Sequence, residues 1–410
     1  MRRLLTLSLA LVLTPILLAA DWPNYRGPAH DGTAPAATVS SGAPKILWKI
    51  PMGAGFSSIA VAGERAYCFA DVNDKETCLA LDRATGKGLW ATPIDKTIHD
   101  RSGGNGPRST PTVDGDRVYV LGAYAKLACM NAADGKILWS HDLLKEFNGS
   151  LPSKGWGSAA SPLIQGEFLF ACTGGSNQSL VAFNKTTGNV VWKTESDQPT
   201  HASPVPATIH EIPQIIFFTK KGLVSVTPDA GKVLWRFPFP FQTATAASPV
   251  VGGKEGDIVY CSAAYKVGAA ACKIEKTPAG LTAKPLWRQE NTLQQHWSSA
   301  VHKDGYLYGL YKPDGLGPES LRCIDIETGK IKWLQKGFSW RGGTTLLGDR
   351  LIVQNNNGDL AVVQAAPDAY KELSRTHAVD GQAWTMATIA DTQIFARSTS
   401  QAACLDLSGR

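Results

Sequence analysis

Eight aromatic or cationic residues recur at matching places in a repeated sequence, and their side chains suit ligand binding. They are Arg108, Trp156, His201, His296, Trp297, Trp340, Arg341 and Trp384. Indole rings stack on planar groups, and guanidinium groups bind carboxylates and phosphates. This combination favours a planar or anionic ligand, or an aromatic or acidic peptide segment. The alternative interpretation is that these aromatic side chains pack on one another and fill the space between them.

The short segments around these residues contain no Asp or Glu; the segments are 55–58, 105–109, 155–158, 200–203, 242–245, 295–298, 339–342 and 382–385. A glycosidase needs two carboxylates and calcium needs oxygen ligands, so the pattern argues against both. His201 and His296 are a candidate metal pair, but no third ligand follows from their spacing. We therefore predict neither a metal site nor a catalytic residue.

Two long polar, Gly-rich stretches, 94–107 and 143–155, form a second candidate surface. Loops on a rigid scaffold commonly carry binding residues. Arg101 and Arg108 lie in or beside the first stretch and are candidates for contact with an acidic group. The alternative is an ordinary solvated loop.

A repeated phrase explains how such residues come together. Five copies end in Trp, with a Gly four residues earlier in each; the copies span 79–90, 128–139, 181–192, 224–235 and 322–333. Short apolar runs on both sides of a Gly-ended polar turn predict a β-hairpin. A second hairpin precedes each copy, often marked by Ser-Pro or Thr-Pro, so the period of roughly 48 residues holds four strands, the unit of a propeller blade.

Degenerate copies raise the count to eight. The segment ending in Trp48 has no preceding hairpin, and the C-terminal copy at 403–409 has no final strand. We therefore predict an all-β, eight-bladed β-propeller of four-stranded antiparallel blades, closed by pairing of the N-terminal strand with the C-terminal blade. Its expected boundaries are a signal peptide over 1–20, a lead segment over 21–43 and the propeller over 44–410.

Seven of the 12 tryptophans stand in the repeat, at positions 48, 90, 139, 192, 235, 287 and 333. We expect each indole to span the gap to the next blade, with its N–H on a backbone acceptor. In one degenerate copy Leu373 is expected at the tryptophan position.

The composition excludes several classes of protein. The 410 residues include 41 Lys+Arg and 35 Asp+Glu, and only 19% are charged, which is too evenly balanced for a nucleic-acid binder argued on charge alone. With 43% hydrophobic residues, intrinsic disorder is excluded as well. We expect a monomer.

The N-terminus predicts export. Arg2 and Arg3 precede an apolar run from Leu4 to Leu18, and Ala19-Ala20 fits a signal-peptidase site. No later segment approaches the ~18 apolar residues of a membrane span. The mature protein is therefore expected to be soluble and periplasmic or secreted, and no Cys follows the cleavage region to accept a lipid. The alternative is an uncleaved anchor helix.

The eight cysteines do not all suggest disulfides. Cys129, Cys323 and Cys404 share a repeat position with Ala80 and Ala182, where a small buried residue is needed. Two pairs are disulfide candidates because each would face across a hairpin; they are Cys68–Cys78 and Cys261–Cys272.

The phrase Leu-Asp-x-x-Thr-Gly-Lys-x-x-Trp resembles the repeat of the pyrroloquinoline quinone (PQQ)-like β-propellers, which include quinoprotein alcohol dehydrogenases and the BamB-type outer-membrane assembly factor. The segment from Trp22 to Gly32 resembles the opening of exported members from planctomycete and verrucomicrobial bacteria. The enzymes of the group place two adjacent cysteines against the quinone and use axial carboxylates for calcium and a base; no two cysteines are adjacent here, and no Asp or Glu can be matched to those roles.

Three functions remain open. The leading hypothesis is an exported, non-catalytic propeller that binds a protein partner or another ligand of the cell envelope. The alternative is a quinoprotein-type oxidoreductase with PQQ on the axis, stacked on Trp156, Trp297, Trp340 or Trp384. A carbohydrate-binding propeller is the third, because exposed indoles stack on sugar rings.

Overall fold

A computed structural model of the protein describes residues 20–35, 37, 39–40, 42–152, 155–241 and 243–409. The predicted signal peptide, apart from Ala20, lies outside the described residues. The described chain folds into eight four-stranded antiparallel sheets, one of which gains a fifth strand from the lead segment. The predicted eight-bladed, all-β propeller is confirmed. No helix in the described ranges is long and apolar enough to cross a membrane.

The lead segment and the first four blades supply 18 strands and one short helix. In the lead are β1 (Thr33–Ala34) and β2 (Lys45–Pro51). Blade 1 consists of β3 (Ala60–Ala62), β4 (Arg65–Val72), β5 (Lys75–Asp82) and β6 (Gly88–Lys96). Blade 2 consists of β7 (Thr112–Asp114), β8 (Arg117–Leu121), β9 (Lys126–Asn131) and β10 (Ile137–Asp142), followed by α1 (Leu143–Glu146). Blade 3 consists of β11 (Leu163–Gln165), β12 (Phe168–Cys172), β13 (Leu180–Asn184) and β14 (Val190–Thr194). Blade 4 consists of β15 (Val205–Ile209), β16 (Ile212–Thr219), β17 (Gly222–Val226) and β18 (Val233–Pro238).

The last four blades complete the ring. Blade 5 consists of β19 (Val250–Gly252), β20 (Ile258–Ala263), β21 (Gly268–Thr277) and β22 (Gly280–Glu290). Blade 6 consists of β23 (Val301–Lys303), β24 (Tyr306–Tyr311), β25 (Ser320–Asp325) and β26 (Ile331–Lys336). Blade 7 consists of β27 (Gly343–Leu347), β28 (Arg350–Gln354), β29 (Asp359–Gln364) and β30 (Glu372–His377). Blade 8 consists of β31 (Thr388–Ala390), β32 (Gln393–Arg397), β33 (Gln401–Asp406) and the lead strand β2.

Strand β2 closes the ring in the predicted way. It pairs antiparallel with β33, and Trp48 stands opposite Cys404. The first and last strands of the propeller thus belong to one sheet. The N-terminal strand β2 is the outer strand of the C-terminal blade, so β33 is paired on both sides and blade 8 has its full four strands.

The tryptophans of the repeat join neighbouring blades. Six of the seven indole N–H groups donate to a carbonyl oxygen of the following blade at 2.8–3.2 Å; the pairs are Trp48 to Arg83, Trp90 to Ala132, Trp139 to Lys185, Trp192 to Pro228, Trp287 to Ile326 and Trp333 to Ala366. Each of the five repeat glycines lies under such a ring. At Gly231, for example, an added Cβ would come within 2.5 Å of the Trp192 ring.

Two positions differ from the sequence expectation. Trp235 donates to Gln214 Oε1 of its own blade at 2.6 Å, and the hairpin of the next blade, β21–β22, is longer than those of the regular copies. In blade 7 the residue at the tryptophan position is Ser374, which stands opposite Val362, while Leu373 lies at the β-bulge. The expectation for Leu373 is therefore wrong by one residue.

A second set of contacts runs around the axis. The backbone N–H of Ser58 donates to Thr110 Oγ1, that of Thr110 to Ser161 Oγ, and that of Ser161 to Ser203 Oγ, at 2.8–3.0 Å. Each bond joins one blade to the next at the start of its innermost strand. The Ser-Pro and Thr-Pro signals of the repeat therefore mark residues whose hydroxyl groups hold the inner ring together.

The lead segment crosses the end of the propeller where the innermost strands finish. Trp22 bridges to Val61 at the end of β3, and Gly32 accepts a hydrogen bond from Leu346 of β27. Strand β1 then pairs parallel with β27. The lead thus covers one end of the axis, a role that the sequence did not predict.

All eight cysteines are free thiols in the structure. The predicted Cys68–Cys78 disulfide is wrong, because Cys68 stands opposite Leu79 and Cys78 opposite Phe69, which places the two side chains on opposite faces of blade 1. The predicted Cys261–Cys272 disulfide is also not formed; Cys261 stands opposite Ala270, so the two thiols are diagonal neighbours on one face. The expectation of small buried residues at 129, 323 and 404 is confirmed.

The indole–glycine contact can be tested with Gly231→Ala. We expect the free energy of unfolding to fall by roughly 2–4 kcal/mol, because the new methyl group meets the Trp192 ring and the residue keeps a positive φ. Gly166→Ala is the matched control, since Gly166 also has a positive φ, of 59°, but no atom lies within 4 Å of an added Cβ. It should lose only about 1–2 kcal/mol. Chemical denaturation measures both, and equal losses would contradict the interpretation.

Candidate functional site

All eight residues singled out from the sequence lie at one end of the axis, where the chain enters the innermost strands. Six line a central cavity; they are Arg108, Trp156, His201, His296, Trp297 and Trp384. Trp340 and Arg341 do not line the cavity but pack on the indoles at its rim, with the Trp340 ring 4.5 Å from Trp297 and the half-buried Arg341 guanidinium 5.1 Å from the Trp384 ring centre. We call these eight residues, together with Phe56, Tyr265 and Lys312, the aromatic mouth.

The cavity measures about 850 Å³, including the space at its opening. Hydroxyl groups form much of its remaining wall; they belong to Thr110, Ser161, Ser203, Ser298, Ser299, Thr344 and Thr385. Tyr25 of the lead also lines it, so the cavity ends where the lead covers the axis. Among the described residues, its lining contains no Asp, Glu or Lys, in agreement with the carboxylate-free pattern of the sequence.

The aromatic residues pack on one another around the opening. The Trp297 ring lies 4.4 Å from His296, 4.5 Å from Trp340 and 5.0 Å from Trp384. Phe56, which the sequence did not single out, stacks on Trp384 at 5.4 Å. The alternative prediction, that the aromatic side chains pack on one another, is therefore correct at the rim. The cavity below the rim remains open.

Three cations lie against these rings. The Arg341 guanidinium is within 5.8 Å of three indole ring centres, and Lys312 is 4.9 Å from Tyr265 and 5.2 Å from Trp340. Arg108 donates to the carbonyl oxygens of Gly104 and Gly106, both at 2.9 Å. Burial lowers the pKa of Arg108, opposed by the charges of Asp100 and Glu76. Cation–π contacts of this kind strengthen as the site loses water.

His201 and His296 are buried inside the cavity wall. Burial lowers the pKa of each to about 3, helped by the charge of Arg108 at His201 and by His201 and Lys312 at His296. Neither ring nitrogen of either residue has a hydrogen-bond partner among the described groups, and Ser298 Oγ and Thr344 Oγ1 lack one as well. These are buried polar atoms that a ligand or ordered water would satisfy.

The structure brings no third metal ligand to His201 and His296 among the residues that it describes. Within the described ranges, no group of three or more His, Cys, Asp or Glu side chains is arranged to hold a metal ion. The charged side chains that act on the two histidines, Arg108 and Lys220 at His201 and Lys312 at His296, are cations, which disfavours a further cation between them.

The long stretch between blades 1 and 2 packs onto the aromatic mouth. Gly103 lies against the Trp156 ring, and an added Cβ at Gly104 would come within 2.6 Å of Phe56. Ser102 accepts a hydrogen bond from Trp156 Nε1 at 3.3 Å. The stretch therefore carries Arg108 into the cavity, whereas Arg101 is exposed. In the second stretch, the first four residues form α1 (Leu143–Glu146).

Glu76 of β5 is a buried acid that sequence reasoning missed. Its Oε2 accepts the backbone N–H of Ala123 in blade 2 at 2.9 Å, and its Oε1 has no partner. Burial raises its pKa to about 7, the Ala123 N–H opposes that shift, and Asp95 adds to it. Asp71 and Asp95 stand opposite Glu76 on the neighbouring strands. The only signal in the sequence was that these three acids fall in register within one blade.

The Glu76 pKa predicts a pH dependence of stability. The folded protein favours the neutral acid, so this group's contribution is complete below its ordinary pKa of 4.5 and is lost as pH rises through about 7. Between pH 5 and pH 9 we expect a loss of about 1–3 kcal/mol that Glu76→Gln abolishes. Denaturation at several pH values measures it. Glu64→Gln, at an exposed turn of the same blade, should behave as wild type; an unchanged pH profile in Glu76→Gln would contradict the assignment.

Comparison with known proteins agrees with the fold. The family model described as outer membrane protein assembly factor BamB matches residues 74–279. The outer membrane protein assembly factor BamB of Shewanella oneidensis is 26% identical over 206 residues, covering 48% of this chain and 47% of the relative. The match thus spans about half the length of that relative.

Two solved structures share the architecture. BamB from Moraxella catarrhalis superposes with a TM-score of 0.61 at 14% identity, over 90% of this chain and 99% of that one. A quinohemoprotein alcohol dehydrogenase from Comamonas testosteroni gives a TM-score of 0.68 at 12% identity, over 95% and 81%. At these identities the likeness concerns the fold alone. The family match, in turn, covers the repeats of blades 1 to 5, and by that match this chain belongs to the BamB family of PQQ-like β-propellers.

Proposed function

We propose that this protein is an exported, non-catalytic binding propeller that holds an acidic segment of a cell-envelope protein at its aromatic mouth. The observation that carries the proposal is the guanidinium of Arg341, which lies 5.1 Å from the ring centres of both Trp340 and Trp384. Its Nε is buried and has no hydrogen-bond partner among the described residues. An acidic side chain of a partner would pair with this group while neighbouring side chains stack on the indoles.

Charge and family support the same proposal. Arg108, Arg341 and Lys312 give the mouth a positive potential, and the described residues of the cavity wall add no carboxylate to cancel it. A concave positive surface attracts acidic partners and speeds their association. The Shewanella relative is named as an outer membrane assembly factor, and the predicted signal peptide over 1–20 would deliver this chain to the same compartment. We propose that it acts there as a monomer.

The proposal is tested by affinity capture from envelope extracts, followed by measurement of Kd for the recovered protein. We expect Arg341→Gln and Trp297→Ala each to raise Kd roughly tenfold or more, as is usual for central Arg and Trp residues of an interface. Arg288→Gln is the control, because Arg288 also makes a cation–π contact, with Phe239, but lies on the outer strand of blade 5. No partner for the wild type, together with turnover on alcohols, would overturn the proposal.

A second candidate is a planar anionic ligand, such as PQQ, inside the cavity. The observation that favours it is the set of unpartnered polar atoms on His201, His296, Ser298 and Thr344. PQQ, when bound, supplies quinone redox chemistry. Arg108, the hydroxyl groups and the indoles fit a flat anion, but no described residue of the lining is a carboxylate that would hold calcium or act as a base. The chain's own residues therefore support binding of the ring and not its use in alcohol oxidation.

A PQQ titration followed by absorbance and thermal unfolding separates the candidates. If PQQ binds, the melting temperature should rise with PQQ concentration, and calcium should leave the affinity unchanged because the lining offers it no carboxylate. Thr344→Ala should weaken binding several-fold. A flat titration with and without calcium would remove this candidate.

A further inference from the structure

The opposite end of the axis holds a second polar site, formed by the lead. The segment from Trp22 to Gly32 stood out in the sequence, and the aromatic mouth leaves its arginine unexplained. Arg26 and Gly27 have φ values of 67° and 76°. The left-handed region is uncommon for a residue with a Cβ. The backbone therefore makes a tight local turn, and the turn directs the Arg26 side chain inward.

The Arg26 guanidinium is fully enclosed, with only 1% of the residue exposed. Its Nε donates to His30 O at 3.2 Å, and its Nη2 donates to Asp31 O at 2.6 Å and Ala300 O at 2.9 Å. Its Nη1 has no hydrogen-bond partner among the described residues. Within the described ranges the guanidinium forms no ion pair, and the charges of Tyr25 and Asp31 act on it without direct contact.

A second unpartnered group lies on the same cavity. Ser248 Oγ, at the start of blade 5, is buried and has no hydrogen-bond partner in the described part of the chain. Arg26 and Ser248 both line a cavity of about 220 Å³, including its approach, together with Tyr25, Ser161 and Ser203. Of the described residues that line it, none is an Asp or Glu. His30, also in the wall, is held neutral: burial and then the charge of Arg26 lower its pKa to about 4.

The described lining of this cavity therefore carries a positive charge and no negative one. A buried guanidinium without a counter-charge in direct contact is costly, because its charge has lost water and its hydrogen bonds go only to carbonyl oxygens. A water molecule would satisfy the Nη1 hydrogen but leave the positive charge uncompensated. An anion satisfies both, and Ser248, whose buried Oγ is also unpartnered among the described groups, lines the same cavity. The enclosed part of the cavity has room for about one small atom, which favours a single ion over a carboxylate or phosphate.

We propose that this small cavity under the lead binds a monatomic anion, chloride under ordinary conditions, between Arg26 Nη1 and Ser248 Oγ. The ion neutralises the one charged side chain that the lead inserts into the axis. It thereby joins the lead to blade 5, a blade that the backbone contacts of Trp22, Gly32 and β1 do not reach. The site adjoins the cavity of the aromatic mouth, with which it shares Tyr25, Ser161 and Ser203, but Arg26 and Ser248 line only the smaller cavity of the two.

Bromide substitution tests the site directly. Crystals of the full mature chain grown in bromide instead of chloride should show an anomalous peak in contact with Arg26 Nη1 and Ser248 Oγ. The same peak should be absent from crystals of Ser248→Ala grown at a low bromide concentration. Bromide peaks found only elsewhere on the molecule, or an ordered water at this place in both crystals, would overturn the proposal.

Thermal unfolding gives the second readout. At constant ionic strength, replacing gluconate by chloride should raise the wild-type melting temperature in a saturable way. Ser248→Ala keeps the guanidinium and should need roughly tenfold more chloride for half of the effect, since one hydrogen bond to the ion is lost. Ser225→Ala is the control, because Ser225 is equally buried but donates to Gln214, away from the axis. A wild-type melting temperature that does not respond to chloride, or an identical response in Ser248→Ala, would contradict the proposal.

Discussion

The architecture depends on one contact that is repeated around the ring, an indole of one blade lying on the turn glycine of the next. At Gly135 an added Cβ would come within 2.6 Å of the Trp90 ring, and at Gly329 within 2.9 Å of the Trp287 ring. The contact sets both the spacing and the rotation between blades, because the indole N–H must at the same time reach a carbonyl of that turn. Five of the eight junctions between blades carry this contact among the described residues, and the segments that enter the innermost strands meet at the same end of the axis. The aromatic mouth is the product of that alignment.

The electrostatics of the mouth follow from burial. Neutral histidines, packed indoles and partly desolvated arginines share a space into which the described lining residues bring no negative side chain. Glu76 lies behind Arg108 in the next layer, and its raised pKa keeps it largely neutral at moderately acidic pH. As pH rises, its ionisation places a negative charge behind the cation that faces the cavity. The anion-attracting character of this end therefore decreases from acidic to alkaline conditions.

Much of this could be predicted from sequence because it follows the repeat. Trp156 and Trp384 occupy equivalent positions in the repeat, which predicts that they lie close together, and the structure brings both to the cavity wall. The repeat does not predict three other residues of this region. Tyr25 belongs to the lead, Lys312 lies in a loop, and Glu76 lies on a strand of blade 1, so none of them stands at the repeat position that enters an innermost strand. The cysteine error has a specific cause: Cys68 and Cys78 were paired by their place in a hairpin, and a shift of one residue in register moves a side chain to the other face of the sheet.

Closure of the ring by β2 and β33 has a consequence for how the chain acquires its structure. The partner of the first blade strand is the last one to be made, so blade 8 cannot form until nearly the whole polypeptide is available. Contacts between such distant segments carry a large loop-closure entropy and slow folding. Until then, both strands expose unpaired backbone groups, the kind of edge that pairs with other chains. Assembly of the last blade is thus the step at which this protein is most prone to aggregate, and a truncation at either end would leave it permanently in that state.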